Sequence, residues 1–174
     1  MSDPRYPIGR FAPPASYSPE LRSGFIDQIA AAPGHLRDAV QALTAAQLGT
    51  PYREGGWTVA QVVHHLPDSH VNAYVRFKLA VTEEAPAIKV YNEGLWAELP
   101  DATSTDIAGS LALLGALHQR WTVLLRSLTP GDFDRTFVHP VNGSVTLDRT
   151  LALYAWHGRH HVAHITQLRQ RMAW

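Results

Sequence analysis

The chain has 174 residues, of which 45% are hydrophobic and 17% are charged, as is typical of one soluble globular domain. Fifteen Lys and Arg residues balance 15 Asp and Glu residues, so no basic surface favours a nucleic acid or an anionic membrane as partner. Cysteine is absent, which excludes disulfides and thiolate ligands, and ten histidines leave imidazole as the obvious metal ligand. The first residues do not resemble a signal peptide, and no apolar run approaches about 18 residues, so we expect a cytoplasmic protein.

Prolines and apolar spacing predict the structure of the first part of the chain. Residues 1–17 hold four prolines and are expected to form an extended arm over the surface. Ser18 followed by proline is typical of a helix start, and the apolar period predicts a helix to about Ala32. Pro33 either kinks this helix or divides it, because the period continues to about Leu43.

A second long helix is predicted from the cap residue Thr58 to about Thr82, with a kink at Pro67. Residues 84–105 follow it and show no period. A segment of this length without secondary structure in a compact domain is usually a functional loop or lid. We therefore predict such a loop between the second and third long helices.

The remaining chain predicts two more long helices. The third is expected over residues 105–128 and the last over residues 146–172, with a connecting loop or small hairpin at residues 137–144. Four long amphipathic helices without an internal repeat predict an all-α fold, an antiparallel four-helix bundle. We expect one domain spanning residues 1–174.

The last helix contains four histidines within eight residues, namely His157, His160, His161 and His164. His157 and His161 lie one helical turn apart, and His161 falls on the apolar seam where Leu or Ile is expected. The helical wheel places His160 furthest towards solvent. A pair of histidines spaced by four residues beside a core is the usual way in which a helix offers two metal ligands.

Three ligands from two helices, with an open fourth position, are typical of a catalytic site of the zinc type. The third ligand must come from another helix, and the pattern leaves four candidates: His64, His65, His70 and His118. His64 and His65 both flank the apolar stripe of the second long helix. Periodicity does not separate them.

Several motifs together resemble the YfiT-type branch of the DinB-like superfamily, a group of metal-dependent hydrolases related to bacillithiol S-transferases. The motifs cover nearly the whole chain and are Tyr6-Pro7-Ile8-Gly9, residues 52–59, residues 61–65, Asp68-Ser69-His70, residues 72–79, and the Trp156-His157…His161…His164-Ile165 run. The resemblance implies a DinB-like four-helix bundle that forms a homodimer. It also implies one divalent metal ion per subunit, zinc or nickel.

The resemblance further implies which residues bind the ion. The family's ligands are the second histidine of the His-His pair and the two histidines of the last helix's His-x-x-x-His pair. By motif these are His65, His157 and His161. His160 and His164 then become bystanders or hydrogen-bond donors that orient a ligand or a substrate.

Three side chains are candidates for a catalytic role: Asp68, His118 and His164. Asp68 lies one turn beyond His65 and is a candidate general base or hydrogen-bond acceptor, with an ordinary exposed carboxylate as the alternative. His118 is the polar member of the third helix's apolar seam, and it is either a base beside the ligands or a hydrogen-bonded core histidine.

Three functions are compatible with these residues. The first is hydrolysis of a small-molecule substrate, because a three-histidine ion with an open position acidifies bound water. The alternative is a transferase that adds a low-molecular-weight thiol cosubstrate to electrophiles. The third is a non-catalytic, metal-binding stress-response module in which the ion only braces the bundle.

Overall fold

The computed structural model describes residues 3–174, and four long helices contain most of them. The elements in chain order are α1 (Pro19–Val40), α2 (Ala45–Leu48), α3 (Val59–Thr82), α4 (Glu93–Trp96), α5 (Pro100–Thr103), α6 (Ala108–Ser127), α7 (Pro130–Phe133), β1 (Thr136–His139), β2 (Gly143–Thr146) and α8 (Leu147–Met172). Helices α1 and α3 each pack against both α6 and α8. The predicted four-helix bundle is therefore confirmed, with α1 diagonally opposite α3.

Cap residues begin the helices close to where the sequence predicts. The Thr58 hydroxyl accepts a hydrogen bond from the Gln61 amide, and the Gln61 side chain accepts one from the Thr58 amide. This reciprocal capping box starts α3. Helix α6 begins at Ala108, slightly later than predicted, because the Asp106 carboxylate accepts the Ala108 amide in a preceding turn.

Neither internal proline ends its helix. Helix α1 is one helix of 22 residues that continues through Pro33, and α3 is one helix of 24 residues that continues through Pro67. Proline has no amide hydrogen, so the carbonyl of Ile29, four residues before Pro33, has no helical donor. The Nδ1 atom of His118 lies 2.6 Å from this oxygen and takes the donor's place.

The core consists of two apolar clusters separated by a layer rich in histidine. The first cluster contains Phe77 and Trp121, and the second contains Leu36 and Leu114. Helices α1 and α8 run from the first cluster to the second, whereas α3 and α6 run from the second to the first. Of the packed neighbours, α1 and α6 are antiparallel as predicted, as are α3 and α8, whereas α1 and α8 are parallel, as are α3 and α6. The layer between the clusters is where His70, His118, His157 and His161 are found.

These helix directions explain the long segment between α3 and α6. Since α3 and α6 run in the same direction, residues 84–105 must return along the bundle. The prediction that this segment lacks secondary structure is wrong, because it contains α4 and α5. The Ile88 backbone amide donates to the Val138 carbonyl, and the Gln61 side-chain amide donates to the Ala97 carbonyl over 2.8 Å. It is a crossover connection held against the bundle.

The sequence left either a connecting loop or a small hairpin open for residues 137–144, and the structure has the hairpin. Strands β1 and β2 form an antiparallel hairpin, with Thr136 opposite Thr146. This is the small hairpin rather than the irregular loop. Within residues 3–174, no helix combines the length and the apolar content that a membrane span requires.

The N-terminal segment lies along α8. Residues 3–17 contain no helix or strand, and the first two residues of the predicted arm lie outside the described residues. The Gln167 side-chain amide donates to the Pro7 carbonyl over 3.1 Å, and the Phe11 ring lies 6.0 Å from the Trp156 ring. The arm therefore covers the face of α8 that carries the histidine cluster.

Candidate metal centre

Three histidine side chains from two helices converge at one point. The Nε2 atom of His157 lies 3.4 Å from that of His65 and 3.2 Å from that of His161. Tetrahedral zinc with bonds of about 2.0–2.1 Å holds its nitrogen ligands roughly 3.3 Å apart. The three side chains are therefore spaced as ligands of one divalent ion.

Bundle topology and helix geometry together assemble this group. Helix α8 supplies His157 and His161 one turn apart, and α3 packs beside it and supplies His65. His64, turned about 100° away on the same helix, faces α6 instead. Its Nδ1 lies 2.7 Å from the Ser110 hydroxyl, and its Nε2 lies 2.8 Å from the Ser104 carbonyl.

Burial keeps these imidazoles neutral. It lowers the pKa of His65 to about 4, and it holds the pKa values of His157 and His161 well below the ordinary range. Neighbouring histidines lower the last two pKa values further. A neutral imidazole keeps a free lone pair, which is the form that binds a metal. In the tautomer that leaves Nε2 without a proton, all three rings offer a lone pair to one cation, so the donor set fits an ion.

Behind the ligands, the histidine layer is linked by hydrogen bonds. Nδ1 of His157 lies 3.0 Å from Nε2 of His70, and Nδ1 of His70 lies 2.8 Å from Nε2 of His118. His118 in turn contacts the Ile29 carbonyl. Of the two roles considered for His118, this position is that of a hydrogen-bonded core histidine.

The three candidate ligands line a cavity of about 450 Å³. The Trp57 ring borders it, with its centroid 4.8 Å from that of His65. Three charged residues line the cavity, Arg5, Arg53 and Glu93. The Arg5 guanidinium is paired with the Asp3 carboxylate at 2.9 Å. Sequence reasoning missed the three lining residues, because the arm, the loop before α3 and the crossover connection reach the site only through the tertiary fold.

His160 and His164 also line the cavity and, with His161, form a second group of three histidines. The prediction that His160 lies furthest towards solvent is wrong, since only 7% of the residue is exposed. The Trp156 ring stacks on the His160 ring with their centroids 4.3 Å apart, and the Tyr6 ring of the arm has its centroid 6.3 Å from that of His160. A helical wheel cannot show a face that a distant segment covers.

His164 is held by two contacts from outside α8. Its ring stacks on Tyr52 at 4.0 Å, and its Nε2 lies 3.3 Å from the Arg5 carbonyl. Burial lowers its pKa to about 4. These contacts place His164 on the cavity wall beside the candidate ligands, where it contacts the arm.

Asp68 is not brought into this site. It is half-buried on α3 outside the residues that line the cavity, and burial together with the Asp101 carboxylate raises its pKa. Among the described residues, its carboxylate forms no hydrogen bond to a histidine. Glu93, not Asp68, is the carboxylate that lines the cavity.

The family model of the DinB superfamily matches residues 28–165. The chain belongs to the DinB superfamily. Similar proteins from Bacillus carry the name "Putative metal-dependent hydrolase". YfiT of Bacillus subtilis (strain 168) is 54% identical over 170 residues, covering 97% of this chain and 96% of that protein. A protein of Bacillus mycoides (strain KBAB4) is 52% identical over 174 residues, covering 100% of both.

Two solved structures show a similar four-helix bundle fold. The structure of YfiT from Bacillus subtilis, described as a probable metal-dependent hydrolase with an unusual four-helix bundle topology, matches with a TM-score of 0.95. Its sequence is 53% identical, and the match covers 98% of both chains. TT2238, a four-helix bundle protein, matches with a TM-score of 0.57 at 18% identity, covering 88% of this chain and 99% of that one. The second match concerns the fold alone.

Proposed function

We propose that this protein is a metal-dependent hydrolase that binds one divalent ion through the Nε2 atoms of His65, His157 and His161. The observation that carries the proposal is the convergence of three neutral imidazoles on the wall of a cavity, with Nε2 of His157 3.4 Å from that of His65 and 3.2 Å from that of His161. An all-nitrogen donor set suits zinc, with nickel as the other candidate. The names of the similar proteins from Bacillus support the same class of enzyme.

Three protein ligands leave a position for a substrate or water, as in catalytic rather than structural sites. A divalent ion held in this way supplies Lewis acidity and lowers the pKa of water that it binds to about 7. The cavity of about 450 Å³ suits a small molecule. Arg53 orients polar or anionic groups of that molecule, Glu93 accepts a proton, and Trp57 keeps bulk water from the ligand rings.

Removal and restoration of the ion test the hydrolase proposal. The protein is stripped with a chelator, assayed on a panel of small esters and amides, and assayed again after zinc is restored. We expect turnover only in the zinc-loaded protein, and its loss in His65→Ala, His157→Ala and His161→Ala. His64→Ala is the matched control, because His64 is as buried as its neighbour but does not reach the ligand group. Turnover that survives chelation contradicts the proposal.

The same assay separates the competing reactions. Turnover of an electrophile that requires an added low-molecular-weight thiol would replace the hydrolase by an S-transferase. Hydrolysis that is indifferent to thiol excludes the transferase. A tightly bound ion without turnover of either kind would leave the non-catalytic metal-binding module.

A further inference from the structure

We infer that a chain of hydrogen bonds through three imidazoles fixes the tautomer in which His157 presents its Nε2 lone pair to the ion. The chain begins at the Ile29 carbonyl, which Pro33 leaves without a helical donor in α1. The inference rests on the proposed metal site. It assigns His118 and His70 as positioning residues that act through His157. The chain runs from the Ile29 carbonyl to His118, His70 and His157, with contacts of 2.6, 2.8 and 3.0 Å.

The direction of the chain follows from its first atom. A carbonyl oxygen only accepts hydrogen bonds, so Nδ1 of His118 carries the proton. A neutral imidazole has one N–H, and Nε2 of His118 must therefore accept from Nδ1 of His70. The same argument makes Nε2 of His70 accept from Nδ1 of His157. The lone pair of His157 is then left on Nε2, the atom that faces His65 and His161.

Pro33 makes this first acceptor available. Any residue other than proline at that position would donate its backbone amide to the Ile29 carbonyl, and this carbonyl would then not need a hydrogen-bond donor from α6. With proline there, the buried carbonyl is paired with His118 instead. A kink-forming residue in one helix is thus connected to a ligand in another.

The surroundings allow no substitute for these contacts. His70 is 0% exposed and His118 is 1% exposed, in the layer between the two apolar clusters. Among the described residues, no carboxylate hydrogen-bonds to either ring, so both are neutral and each has only one proton to donate. Ligand histidines usually donate their other N–H to a carboxylate or a backbone carbonyl. Here the carbonyl is reached through two intervening imidazoles.

The tautomers can be read directly in the metal-free protein. Long-range ¹H–¹⁵N correlation spectra of ¹⁵N-labelled protein distinguish the Nδ1–H from the Nε2–H form of each histidine. We expect the Nδ1–H form for His157, His70 and His118, since the hydrogen bond at one nitrogen sets which of the two carries the proton. An Nε2–H form at His157 or His118 overturns the inference, without the need for any variant.

Zinc affinity in variants supplies the second test. His118→Leu and His70→Leu break the chain, and we expect zinc binding to weaken by about 10–100-fold. His118→Gln keeps one donor and one acceptor, and is expected to restore affinity to within a few-fold of wild type. The matched control is His64→Leu, which removes another buried histidine with separate hydrogen bonds and should leave affinity unchanged.

The two proposals fail in different ways. His118→Leu that binds zinc like wild type, or His118→Gln that binds as weakly as His118→Leu, overturns the inference and leaves the metal site intact. Wild-type protein that binds neither zinc nor nickel overturns the proposed function. The metal-free spectrum still decides the tautomer of His157 in that case.

Discussion

At the scale of single residues, the buried His118 makes the stability of the folded state depend on pH. Burial lowers its pKa from an ordinary value near 6.5 to about 4. The unfolded chain therefore takes up a proton at a higher pH than the folded one. Folded-state stability that is present above pH 6.5 is lost as the pH falls from there to about 4.

Urea unfolding of the metal-free protein between pH 7.5 and 4.5 tests this dependence. Each unit of pKa shift corresponds to about 1.4 kcal/mol, so His118 alone accounts for up to about 3 kcal/mol of the decline in unfolding free energy. His118→Gln keeps the hydrogen bonds but does not titrate, and we expect a flatter profile. Parallel profiles for the two proteins would contradict the assignment.

The candidate site was predictable from the sequence only in part. His157 and His161 were identifiable because spacing within one helix fixes their common face. His65 was not separable from His64 by periodicity, since both flank one stripe and only the packing of α3 against α6 and α8 assigns each a neighbour. The burial of His160 and the presence of Glu93 in the cavity depend on segments far away in sequence.

At the scale of elements, α1 and α8 pack closely at Gly158. A Cβ atom there would lie 3.2 Å from Cβ of Ala32 and 3.8 Å from Cε1 of His70. Both helices would have to shift, so Gly158→Ala is expected to destabilise by about 1–3 kcal/mol in spite of the better helix propensity of alanine.

Denaturant unfolding measures this change. Gly34→Ala in α1 is the matched control, because a Cβ at that position meets nothing within 4 Å. It should stabilise by about 0.5–1 kcal/mol. Equal effects of the two substitutions would show that the α1–α8 contact is not tight at Gly158.

The start of α8 is joined to α1 by a buried ion pair. Arg22 donates two hydrogen bonds of 2.8 and 2.6 Å to the Asp148 carboxylate, and their side chains are 13% and 6% exposed. Asp148→Asn leaves the arginine charge buried without its partner. We expect a loss of roughly 3 kcal/mol in unfolding free energy.

The exposed pair of Arg126 and Asp27 provides the comparison. These side chains are 60% and 65% exposed, and Asp27→Asn should leave stability unchanged within error. A loss for Asp27→Asn as large as that for Asp148→Asn would contradict the role given to burial.

Element boundaries were predictable where a local signal sets them. Thr58 and Ser18 begin helices because their side chains accept backbone amides within the next turn. The continuity of α1 through Pro33 was not predictable, since the compensating donor comes from His118 on another helix. The crossover at residues 84–105 was also hidden, because helix direction is a property of the whole bundle.

At the scale of the whole molecule, the histidine layer divides the core, so an ion bound there stabilises both halves. Binding to the folded state alone raises the unfolding free energy by about 2.7 kcal/mol at 100 times Kd. For a chain of this size, that corresponds to a melting temperature higher by roughly 5–10 °C. Scanning calorimetry with and without zinc should show this increase in wild type and not in His161→Ala. An equal increase in both would place the ion elsewhere.

The homodimer implied by the family resemblance stays a prediction at this scale. Sedimentation equilibrium of the zinc-loaded protein measures it: twice the mass of one chain is expected, and the mass of one chain would contradict it.

The central claim is that three imidazoles hold one ion, and zinc K-edge X-ray absorption on protein of known zinc content tests it most directly. The prediction is one zinc per chain with three imidazole nitrogens at about 2.0–2.1 Å. Each of His65→Ala, His157→Ala and His161→Ala should lose the ion or one imidazole, whereas His64→Ala should keep all three. Protein that stays metal-free after incubation with zinc, or an ion with fewer than three imidazole ligands, would contradict the account.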